Sequence, residues 1–396
     1  TGSYNIAVGG NSLYSNTTAS HNTAVGYQSL LANTTGAQNT ATGTYSLHSN
    51  TTGSYSTANG VNALEENTDG IKNSAFGHSA LRENISGDYN TAVGMESLYS
   101  NTTASNNTAV GYQSLYSNTT GNANTAVGYL SMIENTTGID NTATGQFSLM
   151  NNTTGDLNVA FGRNALQSNT TGSNNTAFGG QALESNTTGI DNTAVGYQAG
   201  YNNTTTSYNT YLGDHAGYNA TSTRNTFLGH ASGEAMTTGE RNVILGRYSG
   251  NIHGLDIRTS SNNIVLSDGD GNPRIRNDNN GSTFFGPNMS SVSGTTGGAA
   301  FWTESQSRRT LYLATTGSNL PLAYFASSGG FVGSISVSTS STSYNTSSDH
   351  RLKENVNYTW DATTRLKQLK PARFNFIADA DTTVDGFLAH EAQAVV

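Results

Sequence analysis

A period of seventeen residues constrains this chain more than any other feature. Aligned on the element NTAVG, glycines fall at Gly9, Gly26, Gly43, Gly60, Gly77, Gly94, Gly111, Gly128, Gly145, Gly162, Gly179, Gly196 and Gly213, each 17 residues after the last. Gly229 and Gly246 extend the series after steps of 16 and 17, giving fifteen copies. A unit this short cannot bury a hydrophobic face by itself, so neighbouring copies have to stack.

One unit, Asn22 to Gln38, reads NTAVGYQSLLANTTGAQ. Its TAV stretch, bounded by Asn and Gly, has the chemistry of a short strand, and NTTG has that of a turn. A second extended piece is expected around YQSLL. The reading is therefore a mainly β protein, a parallel β-roll or solenoid in which each repeat forms one coil with two short strands.

Stacking turns repeat positions into columns. Ala7, Ala24, Ala41, Ala58, Ala75, Ala92 and Ala109 form a column of small side chains. The next residues, among them Val8, Val25, Phe76, Val93, Val110, Phe161 and Phe178, face the opposite way because strand side chains alternate. Leu13, Leu30, Leu47, Leu64 and Leu81 supply a third apolar column. Two asparagine columns, Asn22/Asn39/Asn73/Asn90 and Asn16/Asn33/Asn50/Asn67, are candidate amide ladders, since stacked amides can hydrogen-bond at the strand spacing of ~4.7 to 4.8 Å. Fifteen coils at that rise make a rod on the order of 70 Å long. With few sizeable apolar positions per coil, a lone thin coil is expected to close its core poorly, so parallel chains are expected to share one.

The NTAVG and NTAFG elements, over residues 1 to 250, resemble the head repeats of trimeric autotransporter adhesins of the YadA type. That resemblance implies a left-handed parallel β-roll and a homotrimer.

Composition narrows the function classes. Only 11% of residues are charged and the net charge is −9, so no basic stripe exists to neutralise a nucleic-acid backbone. The absence of cysteine excludes disulfides, thiolate metal sites and a Cys nucleophile. No run approaches the ~18 apolar residues that span a bilayer, and membrane insertion is not expected. The sequence opens at Thr1 inside a repeat, so an upstream segment is expected in the natural chain.

After Gly196 the small column changes to Tyr211, Phe227 and Ile244, and the Val column to Leu212, Leu228 and Leu245, which predicts a bulkier, wider or capped end. Residues 251–347 read as a β-rich connector. Within it NNIVLSDGDGNPRIRN reads as a hairpin around an Asp-Gly turn. The string Asp268 to Asn272 also invites a calcium reading, but Asn279 stands where a calcium loop of the EF-hand type needs Glu, which favours the turn. LYLA and FVGSISV read as further strands.

Charge density then rises: residues 349–396 hold 13 of the 43 charged residues in 48 positions. DATTRLKQL, Asp361 to Leu369, reads as a short helix ending before Pro371, ARFNFI and GFLA as strands, and HEAQAVV as the start of a helix. This is α+β. The three motifs YNTSSDHRLKENV, LKQLKPARFNF and DGFLAHEAQAVV, in that order, resemble the intramolecular chaperone domain of phage endosialidases, tail fibres and neck appendages, the S74 peptidase family. The match begins that domain at 348–396, and the family's domain continues beyond the point matched by Val396.

The resemblance implies a domain that trimerises, guides folding of the preceding fibre and releases itself by autoproteolysis. Matched residue by residue, it makes Ser348 the nucleophile, the Ser348–Asp349 peptide the scissile bond, and Lys353 the general base. A Lys amine serves as a base only when desolvation lowers its pKa, which burial in a trimer interface would supply. The alternative reading leaves Ser348 as the cap of a helix whose first turn begins with Asp349.

Other constellations are weaker. The eight histidines form no His-x-His pair and no HExxH, and no metal or cofactor is expected. Glu65, Glu66, Asp140 and Asp191 sit at turns with no recurring partner, against a two-carboxylate glycosidase. Tyr27, Tyr112, Tyr129 and Tyr197 form a column open to two readings, sugar binding or groove packing. The expected function is a structural, receptor-binding tail fibre or spike on a virion, with a host cell-surface receptor, glycans among the candidates, as partner. The alternative is a bacterial cell-surface trimeric adhesin with the same chaperone domain.

Overall fold

Each repeat forms one coil of a parallel β-solenoid, with one three-residue strand per coil from β1 (Ile6–Val8) and β2 (Thr23–Val25) to β15 (Val243–Leu245). The computed structural model describes residues 2–285, 298–304, 308–314, 320–327, 330–337, 342–346, 362–376 and 379–386. Two compact units result, Thr1–Ser318 and Asn319–Val396.

In the first unit β1 to β15 pair in parallel and in register, Ala7 with Ala24, Ala24 with Ala41, Ala41 with Ala58. From Ala24 on the Ala column faces inward and is fully buried, whereas the neighbouring Val, Phe and Leu residues point out. Glycine follows each of these fifteen strands for a steric reason. Gly26 has φ +144°, and a Cβ there would lie 2.4 Å from the Gly43 carbonyl oxygen of the next coil.

The YQSLL segment is not a second strand. Gln28 and Leu30 both adopt left-handed backbone, at φ 54° and 50°, and this recurs coil by coil as far as Ala231 and Gly233. The Gln28 amide donates back to the Gly10 carbonyl at 2.9 Å, while the Leu30 amide donates forward to Ser46 at 3.0 Å. Left-handed conformation at a non-glycine residue costs roughly 1–2 kcal/mol. Full burial of the leucine side chain returns about 1.5–3 kcal/mol, and the coil-to-coil bond adds to it. The segment is thus an irregular wall that turns leucine into the interior.

The interior closes within one chain, contrary to the expectation that a thin coil needs partners for its core. Asparagine fills the space that apolar residues leave. Asn33 Nδ2 donates to Asn16 Oδ1 at 3.1 Å and to Gly36 O at 3.0 Å, and the same pair of bonds recurs at Asn50, Asn67, Asn84 and Asn101. In the other column Asn22 Nδ2 reaches Gly36 O at 2.9 Å, and Asn22 Oδ1 accepts the backbone amide of Asn39 at 2.9 Å. Both predicted ladders therefore exist, one joined side chain to side chain and the other side chain to backbone.

The end of the shaft is bulkier in one column only. Tyr211 and Phe227 replace the inward alanines, while Leu212 and Leu228 point outward and are exposed. The compensation lies in the leucine column, where Gly200, Gly217 and Gly233 stand at φ 62°, 64° and 63°. A Cβ at Gly217 would lie 2.4 Å from the Tyr211 ring, and one at Gly233 2.5 Å from Phe227. The core's large side chain has moved from one wall to the other, so the coil keeps its width.

Past the last regular repeat, β16 (Ile264–Ser267) still adds in parallel to β15. Its coil is longer: Asn263 donates to Asn242 Oδ1 across 21 residues, and Tyr248, Leu255 and Ile257 fill the interior. The sheet then changes direction. β17 (Pro273–Asn277), β18 (Thr283–Phe285), β19 (Gly298–Glu304) and β20 (Arg308–Ala314) follow as an antiparallel meander. The predicted hairpin is β16–β17, and the LYLA strand lies in β20.

In the second unit β21 (Leu320–Ser327), β22 (Gly330–Val337) and β23 (Thr342–Thr346) form an antiparallel sheet containing FVGSISV. A single helical turn, α1 (Ala362–Leu366), precedes the hairpin β24 (Ala372–Phe376) and β25 (Asp379–Gly386). The ARFNF strand is thus found. Its partner is DADTTVDG, whereas the expected GFLA strand, after its first glycine, and the HEAQAVV helix lie outside the described residues.

The wall exchange predicts strong coupling between its partners. Gly217→Leu alone is expected to destabilise by more than about 3 kcal/mol, and to cost much less in a Tyr211→Ala background. Denaturant unfolding of the two single variants and the double variant measures this.

Candidate functional site

Ser348, Asp349 and Lys353, the residues implicated in self-cleavage, lie outside the described residues.

The strand face presents the outward column. Because the strands are in register, Val25, Phe76, Val93, Phe161, Phe178, Leu212 and Leu228 lie along one line and are all exposed. Phe178 is 52% exposed while its neighbour Ala177 is 0% exposed, so the two faces of a three-residue strand are sharply divided. Phe161 and Phe178 stack at 4.8 Å with planes 6° apart. Thr42, Asn59 and Thr144 interrupt this line, and the apolar runs on either side of them mark an interaction surface on the rod.

The aromatic columns lie on the irregular wall. Tyr112 and Tyr129 stack at 5.5 Å, Tyr99 and Tyr116 at 5.0 Å, and Tyr201 and Tyr218 at 5.1 Å. Successive rings thus turn their faces to each other along the axis and their edges outward. A sugar stacks on a ring face, so the Tyr112–Tyr129 pair is arranged for packing in a column. Tyr27 and Tyr197 instead meet Tyr45 and His215 edge to face.

Charged groups also pair from coil to coil. Arg82 donates to Glu65 at 2.7 Å and also to the Tyr99 hydroxyl, and these bonds, the Glu65 bond foremost, raise the guanidinium pKa. Glu65 is therefore tied to a structural partner. His215 Nδ1 lies 2.6 Å from Asp214 Oδ1, and His230 Nε2 lies 3.5 Å from the same oxygen. Among the described residues no group of three His, Asp or Glu side chains is placed to hold a metal ion. Nor is any described helix long and apolar enough to cross a membrane.

The Asp268 string is a turn. Asp268 Oδ1 accepts the Asp270 and Asn272 amides at 3.1 and 2.8 Å, and Asp268 Oδ2 accepts Asn272 Nδ2 at 3.0 Å and the Arg274 guanidinium. Both carboxylate oxygens are thus engaged within the protein. The bonds from Asn272, and after them Arg274, hold this carboxyl far below the usual range. Asp278 repeats the motif, accepting the Asn280 and Ser282 amides at 3.0 and 2.9 Å before β18. The spacing Asp-x-x-Gly-Asn/Ser is the signal by which this second turn, missed in the sequence, is recognisable.

Two tyrosines are buried at the end of the shaft. Burial pushes both hydroxyls above the ordinary phenol pKa. Tyr248 donates to the Leu255 carbonyl at 2.7 Å, whereas the Tyr211 hydroxyl has no hydrogen-bond partner among the described residues.

Set beside known protein families, curated proteins and solved structures, the chain matches none of them.

The Asp268 turn carries a pH prediction. Its folded pKa is depressed, so its stabilisation is complete above the unfolded carboxylate value of ~3.9 and is lost as pH falls toward the folded value. The Asn272 amide NMR shift is expected to stay constant down to pH ~4 and to move only well below it. Titration at the ordinary carboxylate pKa contradicts the assignment.

Proposed function

We propose that this chain is the shaft of a trimeric receptor-binding fibre, a tail fibre or spike, followed by the beginning of a self-releasing chaperone domain. The observation that carries the shaft reading is the outward apolar line through Val93, Phe161, Phe178 and Leu212 on an in-register rod. Such a line on a polar solenoid is what parallel copies of the chain would cover. Its interior closes without them, so association would use the outside of the coil. Three as the number of chains follows from the resemblance to YadA-type heads.

The chaperone reading rests on the three ordered motifs from Tyr344 onward. In it, Lys353 takes the Ser348 hydroxyl proton as Ser348 attacks the peptide joining it to Asp349; the C–N bond breaks, the proton passes to the departing Asp349 amine, and water hydrolyses the acyl species to leave a Ser348 carboxylate, with burial of Lys353 on assembly coupling cleavage to trimer formation. Activity on external substrates is not part of the proposal. The second reading, a bacterial surface adhesin with the same C-terminal domain, shares the apolar line and differs in the anchoring segment.

Two outcomes are expected. Light scattering of the expressed shaft gives three times the chain mass, and Phe161→Lys with Phe178→Lys shifts it toward the single-chain mass with the β-sheet circular dichroism retained; a monomeric wild-type shaft removes the proposal. Expressed from the full-length gene, wild type yields chains ending at Ser348, whereas Ser348→Ala stays intact; an intact wild-type trimer contradicts autoprocessing.

A further inference from the structure

The NTT strings carry the Asn-x-Thr pattern of N-linked glycosylation into nearly every coil. Such a pattern ordinarily marks a surface loop. Here the threonines are at the surface and the asparagine is inside. Asn33, Asn50, Asn101, Asn118, Asn135 and Asn152 are each 0% exposed. Their amide protons are committed as well: Asn118 Nδ2 donates to Asn101 Oδ1 at 3.0 Å and to Gly121 O at 2.9 Å, and Asn135 Nδ2 to Asn118 Oδ1 at 2.8 Å and Gly138 O at 3.1 Å.

Glycosyl transfer makes a bond from Nδ2 to the anomeric carbon of a sugar. The bond from that carbon to the diphosphate of a lipid-linked oligosaccharide breaks, the lipid diphosphate leaves, and Nδ2 loses one proton. A modified ladder asparagine thus keeps one N–H where the fold uses two. Its sugar would also have to occupy space already filled by the amide of the adjoining coil. A polar group left buried and unpaired costs about 1–3 kcal/mol, before any steric term is counted.

Other Asn-x-Thr strings in the same shaft face the opposite way. Asn106 and Asn174, each followed by Asn and Thr, are exposed and sit at the left-handed position just before a ladder asparagine, at φ 63° and 60°. Asn219, in Asn-Ala-Thr, is exposed too, with its Nδ2 3.0 Å from the Glu234 carbonyl.

We infer that coil closure and N-glycosylation exclude one another along the NTT column, and that the folded shaft accepts N-linked oligosaccharide at Asn106, Asn174 and Asn219. Fold and modification compete for the same nitrogen atoms. In a glycosylating secretory pathway the column acts as a folding trap, whereas the three exposed positions are compatible with the finished solenoid.

The test is secretion of the chain from insect cells, with and without an inhibitor of lipid-linked oligosaccharide synthesis. Soluble, cooperatively melting protein is separated from aggregate, and occupied asparagines are mapped by enzymatic deglycosylation in heavy-oxygen water and mass spectrometry. Folded chains are expected to carry glycans at Asn106, Asn174 or Asn219 and none at Asn101, Asn118 or Asn135. Ladder glycans appear only in the aggregate, and the inhibitor raises the folded yield at least twofold. Folded chains glycosylated at Asn118 and melting like unmodified protein overturn the exclusion. Folded chains without glycan at all three surface positions overturn the assignment of those sites.

Discussion

The shaft depends on an amide stacked upon an amide. A primary amide both donates and accepts, so asparagines at one position of every coil can satisfy one another along the axis while remaining buried. Each rung needs the next. A buried amide without partners costs about 1–3 kcal/mol, and with both donors and the carbonyl engaged that penalty is removed. The other column, joined side chain to backbone, also survives a local change of chemistry. Ser56 stands where the pattern has asparagine, and it still donates its backbone amide to Asn39 Oδ1 at 2.9 Å and accepts that of Asn73 on its hydroxyl at 3.2 Å.

That arrangement explains a coil whose buried apolar groups are chiefly an alanine and a leucine. The amides fill the remaining interior, glycine at each strand end lets the backbones stack, and the left-handed Leu30 position turns its side chain inward. Register then becomes rigid, because slipping a coil by one residue would expose both ladders. The exposed side chains inherit this order. The outward residues from Val25 through Phe178 to Leu228 keep one register because the interior permits no other alignment.

Much of this was legible in the sequence, and the failures have physical causes. The period, the strand position and both asparagine columns could be read because each coil repeats the same chemistry. The second strand was misread because YQSLL has an extended-looking composition, while its left-handed residues depend on which wall must present leucine to the core. Closure within one chain was missed because only apolar positions were counted towards the core, and the asparagine ladders were not credited with filling it. The exchange of Ala and Leu for Tyr211 and Gly217 was written in the sequence, but only alignment of two columns at once reveals it. The sixteenth coil was hidden by its added length, which breaks the period while Asn263 continues the ladder. The pair Ser348 and Lys353 was reached by motif resemblance, and no geometry from the described residues bears on it.

The most direct measurement of the central claim is hydrogen–deuterium exchange of asparagine side-chain amides, resolved by NMR on the folded shaft. If buried ladders close each coil, the Nδ2 protons of Asn101, Asn118 and Asn135 exchange as slowly as the strand amides of the same coils, while those of Asn106 and Asn174 exchange quickly. Ladder protons that exchange at the rate of exposed amides, in a shaft that remains folded, would contradict the account.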